Sequence, residues 1–131
     1  MRDNVYPFLR YDDCPAAMEF LQKAFGAELV ANYGGPDGKV AHAELRFGSG
    51  IVMTGSTREP RSRTPEGNVD KIEHGIYIAV EDIEALFERA RAAGATMVRP
   101  LEDTDYGSRE FSALDPEGYW WSFGTFHPAE A

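Results

Sequence analysis

The sequence predicts an α+β fold in which one βαβββ module occurs twice, each copy forming a curved antiparallel sheet with a helix on one face. Three observations predict it. Two helix signatures share the same start and stop residues, each follows a strand-like run, and the segments after them repeat at a nearly constant spacing.

The first strand is read from Val5 to Tyr11, where Pro7 and Leu9 share one face and Tyr6, Phe8 and Arg10 the other. Asp13 is placed to cap the first helix, whose stripe is Ala17, Phe20, Leu21 and Ala24, and Gly26 stands where a left-handed helix stop belongs. Gly75 to Val80 repeats the strand, Asp82 the cap, Ile83, Leu86, Phe87 and Ala90 the stripe, and Gly94 the stop. Each helix runs into Gly-Ala and then an apolar strand, Leu29-Val30 in one half and Met97-Val98 in the other. In the strand Val40 to Phe47, Ala43 and Leu45 oppose His42, Glu44 and Arg46. Charged side chains are costly to bury against a helix, so the second set faces solvent or a cavity.

Gly50-Ile51-Val52-Met53-Thr54 parallels Gly118-Tyr119-Trp120-Trp121-Ser122, an offset of 68 residues, against 69 between Asp13 and Asp82. Turn signals close the strands: Gly34-Gly35-Pro36-Asp37-Gly38 and Gly48-Ser49-Gly50 in one half, Tyr106-Gly107-Ser108 and Asp115-Pro116-Glu117-Gly118 in the other. The 131 residues therefore read as a single domain of two modules, about 4–55 and 73–126, joined by a polar linker over 56–72.

Composition narrows the function classes. A net charge of −9 argues against nucleic acid, whose phosphates need clustered Lys and Arg, and would draw in a cationic ligand. No apolar run approaches the roughly 20 residues of a membrane span, and Met1-Arg2-Asp3-Asn4 opens no signal peptide. The single cysteine, Cys14, cannot form a disulfide within the chain, and the expectation is a cytoplasmic protein. Cys14 reads as a structural filler at the helix start, since no histidine lies near it in sequence to act as a base.

Alternation projects a lining for the face turned away from the helices. The first half supplies Tyr6, Phe8 and Arg10, then His42 and Glu44, then Val52 and Thr54. The second supplies Tyr77, then Glu110 and Ser112, then Trp120 and Ser122. Aromatic rings with a few polar groups suit a small-molecule pocket: Tyr6 and Trp120 to stack on a flat or cationic ligand, Glu44 and Glu110 to supply counter-charge. The alternative is that the rings fill the curved sheets and leave no cavity. Arg109 either reaches over the cavity mouth to an anionic group or pairs with Asp103 or Asp105. Trp121 and Phe123, one step out of phase, are expected against a helix. His127 reads as a solvated residue.

These residues carry a resemblance. Pro7-Phe8-Leu9-Arg10-Tyr11-Asp12-Asp13, Ala24-Phe25-Gly26-Ala27-Glu28, His42-Ala43-Glu44-Leu45-Arg46 and Asp115-Pro116-Glu117-Gly118-Tyr119-Trp120-Trp121-Ser122 resemble the vicinal oxygen chelate superfamily of glyoxalases, bleomycin-resistance proteins and extradiol dioxygenases. The His-Ala-Glu-Leu strand and the Asp-Pro-x-Gly-x-x-Trp turn are similar to its PhnB-like branch. The resemblance implies sheets curved around a central cavity and a homodimer, with the halves pairing either within one chain or across two. It also implies four metal-ligand positions on the first and last strands of each module: Tyr6, Thr54, Gly75 and Ser122. Hydroxyls are poor ligands for a divalent first-row metal and glycine offers none, so neither metal nor cofactor is expected there. His74 lies next to Gly75 but one step out of phase, unless a bulge turns it inward. The expectation is therefore a metal-free binder of an aromatic or cationic antibiotic or metabolite. The alternative is a metal-dependent lyase or dioxygenase with a shifted site at His42, Glu44 and Glu110.

Overall fold

The structure is a computed structural model that describes residues 5–60 and 75–128. In the first half, β1 (Phe8–Tyr11) leads into α1 (Cys14–Phe25), followed by β2 (Glu28–Gly34), β3 (Val40–Phe47) and β4 (Gly50–Ser56). In the second, β5 (Gly75–Ala79) leads into α2 (Ile83–Ala92), followed by β6 (Thr96–Asp103), β7 (Arg109–Leu114) and β8 (Trp120–Gly124). The sheets are ordered β1-β4-β3-β2 and β5-β8-β7-β6, so the duplication read from the sequence is the fold itself. The sheets are mixed rather than wholly antiparallel: the first strand of each half pairs parallel with the fourth. The linker residues Ser56 and Thr57 stay with the first half, Thr57 donating its amide to Tyr11 O and its hydroxyl to Asp12 Oδ1. Residues 61–74, His74 among them, lie outside the described residues.

Both helices start on the expected caps. Asp13 Oδ1 accepts the Ala16 amide and Asp82 Oδ1 the Ala85 amide, each at 3.1 Å, which satisfies amides that have no partner inside the helix. Gly26 ends α1 at φ 75°, a left-handed conformation that a side chain disfavours.

Helix α1 buries Cys14, Ala17, Met18, Leu21, Ala24 and Phe25, and Phe25 also reaches the other half. Its ring centroid lies 5.6 Å from Trp121 and 4.9 Å from Phe123, both fully buried on β8 as their phase requires. Phe47 of β3 meets Trp121 at 5.3 Å. The helix-side faces of the two sheets thus share one core. The opposite faces, called distal here, point away from it.

The turn between β7 and β8 latches the halves. Asp115 Oδ2 accepts Tyr11 Oη at 2.5 Å and Trp121 Nε1 at 3.0 Å. Glu117 accepts the backbone amides of Asp12 and Asp13 at 2.7 and 2.8 Å, and Tyr119 Oη donates to Arg10 O. Burial pushes the Asp115 carboxyl above its usual range and the Tyr11 phenol far above its own. This motif is therefore structural, holding the end of β1 and the start of α1 to the second sheet.

Candidate functional site

Register decides which side chains share a face. In β3 and β4, Ala43 pairs with Thr54, Glu44 with Met53 and Leu45 with Val52. Directly paired residues project to the same side, so Thr54 and Val52 join Ala43 and Leu45 on the helix side. Thr54 is completely buried there. The projected lining is corrected at both residues: the distal position on β4 belongs to Met53. A constant offset of 69 relates β4 to β8, because Leu9 pairs with Thr54 as Ile78 pairs with Phe123. Met53, not Thr54, is the counterpart of Ser122.

The distal face of the first sheet carries Phe8, Arg10, His42, Glu44 and Met53. Phe8 is 43% exposed, and the Arg10 guanidinium sits 4.8 Å over its ring while donating to Ser56 O at 2.9 Å. His42 Nε2 and Glu44 Oε2 are 2.8 Å apart, the pairing that two-residue spacing on a strand allows. Tyr33, across the β2–β3 ladder, stacks on the His42 imidazole at 6.1 Å. Tyr6 precedes β1 and is 41% exposed.

The distal face of the second sheet carries Tyr77, Glu110, Ser112, Trp120 and Ser122. Trp120 is 37% exposed, and its Nε1 donates to Ser122 Oγ at 3.0 Å. Ser122 Oγ in turn shares a 2.7 Å hydrogen bond with Ser112 Oγ. Tyr77 Oη donates to Phe126 O, fastening the segment after β8 over this end of the sheet. Glu110 is buried, accepting Arg99 Nη2 at 2.9 Å and Tyr106 Oη at 2.7 Å. Burial works to raise its carboxyl, but hydrogen bonds from Tyr106, Arg99 and Ser108 outweigh it and hold the group below the ordinary range.

Three expectations change accordingly. Arg109 lies on the helix side, donating to Glu84 Oε1 of α2 at 2.9 Å and lying 3.4 Å from Asp103, so the ion-pair reading applies and not the cavity-mouth one. Glu110 is not a spare counter-charge, because Arg99 already matches it, whereas the group beside Glu44 is the His42 imidazole. Nor do His42, Glu44 and Glu110 form a triad: among the described residues no three His, Cys, Asp or Glu side chains converge to hold a metal. Arg99, Tyr106, Tyr33 and Met53 were missed by sequence reasoning. A bulge between Met97 and Arg99 breaks the alternation in β6, Tyr106 comes from a turn, and Tyr33 follows the register shift in β2.

The positions to which the resemblance assigns a cation thus hold Tyr6, Met53, Gly75 and Ser122. A phenol, a thioether, a bare backbone and a hydroxyl do not fit a divalent first-row metal, which wants imidazole or carboxylate.

A family model described as Glyoxalase/Bleomycin resistance protein/Dioxygenase superfamily matches residues 5–123. An uncharacterized protein of Mycobacterium tuberculosis is 38% identical over 122 residues, 90% of this chain and 71% of that one. Lactoylglutathione lyase of Haemophilus influenzae is 30% identical over 121 residues, 88% of this chain and 86% of that one. The crystal structure of TioX from Micromonospora sp. ML1 superposes with a TM-score of 0.75 at 34% identity, covering 93% of this chain and 97% of that one. With nearly its whole length matched by the family model and its two four-stranded sheets in the same arrangement, the chain belongs to the Glyoxalase/Bleomycin resistance protein/Dioxygenase superfamily.

Proposed function

We propose that the protein is a metal-free small-molecule binder of the glyoxalase/bleomycin-resistance type that sequesters a flat aromatic antibiotic or metabolite. One observation carries the reading: the four repeat-related positions hold Tyr6, Met53, Gly75 and Ser122, a set rich in surface for an organic ring and poor in donors for a cation. Phe8 and Trp120 present exposed rings on the two distal faces. Because the Glu110 carboxylate is already matched by Arg99, aromatic contact supplies the affinity on the second distal face.

The ligand site is completed by a second copy of the chain. The two distal faces point away from a common core, so each needs an opposing surface to bury a ligand on both sides, as small-molecule pockets do. A homodimer that sets the first distal face of one chain against the second of its partner supplies it. We further place the chain in the PhnB-like branch, on its His42-Ala43-Glu44-Leu45 strand and its Asp115 to Trp121 turn, and in the cytoplasm. Among the described residues no helix is long and apolar enough to cross a membrane.

A second reading, a lyase or dioxygenase, draws support from the 30% identity to lactoylglutathione lyase. The donor chemistry of the four positions weighs against it. A thermal-shift screen of aromatic compounds tests the first reading, since a ligand at 100 times its dissociation constant adds about 2.7 kcal/mol of stability. The expected result is a shift that Phe8→Ala and Trp120→Ala abolish while each variant still melts in one cooperative transition. No shift across flat aromatic compounds would overturn it.

A further inference from the structure

Gly75 and Trp120 face each other directly across the parallel β5–β8 ladder. A Cβ built on Gly75 would stand 2.9 Å from Trp120 O, 3.0 Å from its Cδ1 and 3.3 Å from its Cβ. The first contact is with backbone, which cannot rotate aside, and the second is with the indole. The missing side chain therefore makes the space in which the Trp120 ring leans over β5. The ring atom next to Cδ1, Nε1, donates to Ser122 Oγ, which shares a hydrogen bond with Ser112, 1% exposed. The space left by Gly75 at Cδ1 and the hydrogen bond at the neighbouring Nε1 set this edge of the indole against β5, while 37% of the residue stays exposed.

We propose that Gly75 is the positioning residue of an aromatic platform: it seats the Trp120 indole over β5, and the exposed ring selects planar aromatic ligands by shape. The proposal rests on the ligand-binding reading and names the feature that sets its selectivity. A pre-ordered ring loses little side-chain entropy when a ligand stacks on it, which favours binding by cutting its cost. The groups that fix the ring are two neutral serines and a glycine, so the platform discriminates by flatness and not by charge. Position 75 is also one where the resemblance expects a metal ligand. It cannot hold a projecting donor and the Trp120 ring together, so the same absent side chain that disfavours a cation creates the platform.

The test is a calorimetric titration of the full chain with proflavine (planar, cationic), naphthalene-2-sulfonate (planar, anionic) and tetraethylammonium (cationic, without a ring). The native chain is expected to bind both planar probes and not tetraethylammonium. Gly75→Ala is expected to weaken both planar probes tenfold or more and to raise acrylamide quenching of the exposed tryptophan component, Trp121 being buried out of reach. Ser122→Ala is expected to weaken them a few-fold. Equal affinity of native and Gly75→Ala chains for the planar probes overturns the role of Gly75 and leaves ligand binding standing. Tetraethylammonium binding as tightly as proflavine overturns selection by shape. If no planar probe binds the native chain, the platform and the ligand-binding reading fall together. Should Gly75→Ala melt, Trp120→Ala decides by the same titration, unchanged affinity overturning the proposal.

Discussion

Glu110 and Asp115 are two buried carboxylates whose pKa values move in opposite directions. Glu110 is held below its usual range, so between its native and unfolded pKa values the unfolded chain binds more protons, and stability rises with pH. Its contribution is complete at neutral pH and disappears as pH falls through the native value. Burial raises Asp115, which gives the reverse sign: the cost of ionising it grows as pH rises from the unfolded value through the native one. Urea melts of Glu110→Gln and native chains separate the two. The variant is expected to be about 1–2 kcal/mol less stable at pH 7, and the gap to narrow as pH falls below the ordinary carboxylate range. Thr54 carries a second prediction. Its Oγ1 is buried without a hydrogen-bond partner of good geometry, beside the Cys14 thiol, a weak donor. Thr54→Val keeps the shape and removes the unsatisfied hydroxyl, so a higher melting temperature is expected, worth about 1 kcal/mol. Neither environment was legible in sequence: Glu110 was read as a free counter-charge because Arg99 and Tyr106 come from a bulged strand and a turn.

At the scale of elements, helix boundaries were the most legible feature, because caps and stops are local chemistry. Asp13 and Asp82 accept the amides three residues on, and each helix stops within two residues of its predicted glycine. Asp13→Ala is expected to cost about 1 kcal/mol in chemical denaturation. The strand faces were legible where polarity alternates, as in β3, and not in β4. There Ile51, Val52 and Met53 are consecutive apolar residues, so alternation gives no preferred side, and a one-residue error in the repeat offset moved the whole strand to the wrong face. Helix α1 matters beyond its own sheet because Phe25 fills the space before Trp121 and Phe123. Phe25→Ala is expected to cost about 3–5 kcal/mol, the range for emptying a large aromatic site, and to lower the melting temperature of the whole chain in one transition. Two transitions, with one half melting alone, would contradict a shared core.

At the scale of the molecule, the duplication was readable because both halves keep the same order of strand, cap, helix stop and strands. Which way the halves face each other was not, since that is settled by Phe25, Phe47 and the Asp115 latch acting across more than 70 residues of sequence. The distal faces left open by that packing predict a sedimentation mass of twice the 14.6 kDa chain; a single chain's mass at micromolar concentration would contradict the composite site. Above all of this stands the claim that the four repeat-related side chains grip no cation. The direct measurement is metal content by mass spectrometry, on protein purified without a histidine tag and dialysed against zinc, nickel, cobalt and manganese. The account predicts well under one metal per chain, unchanged by Glu44→Ala. One tightly held ion per chain, released when Glu44 is replaced, would contradict it.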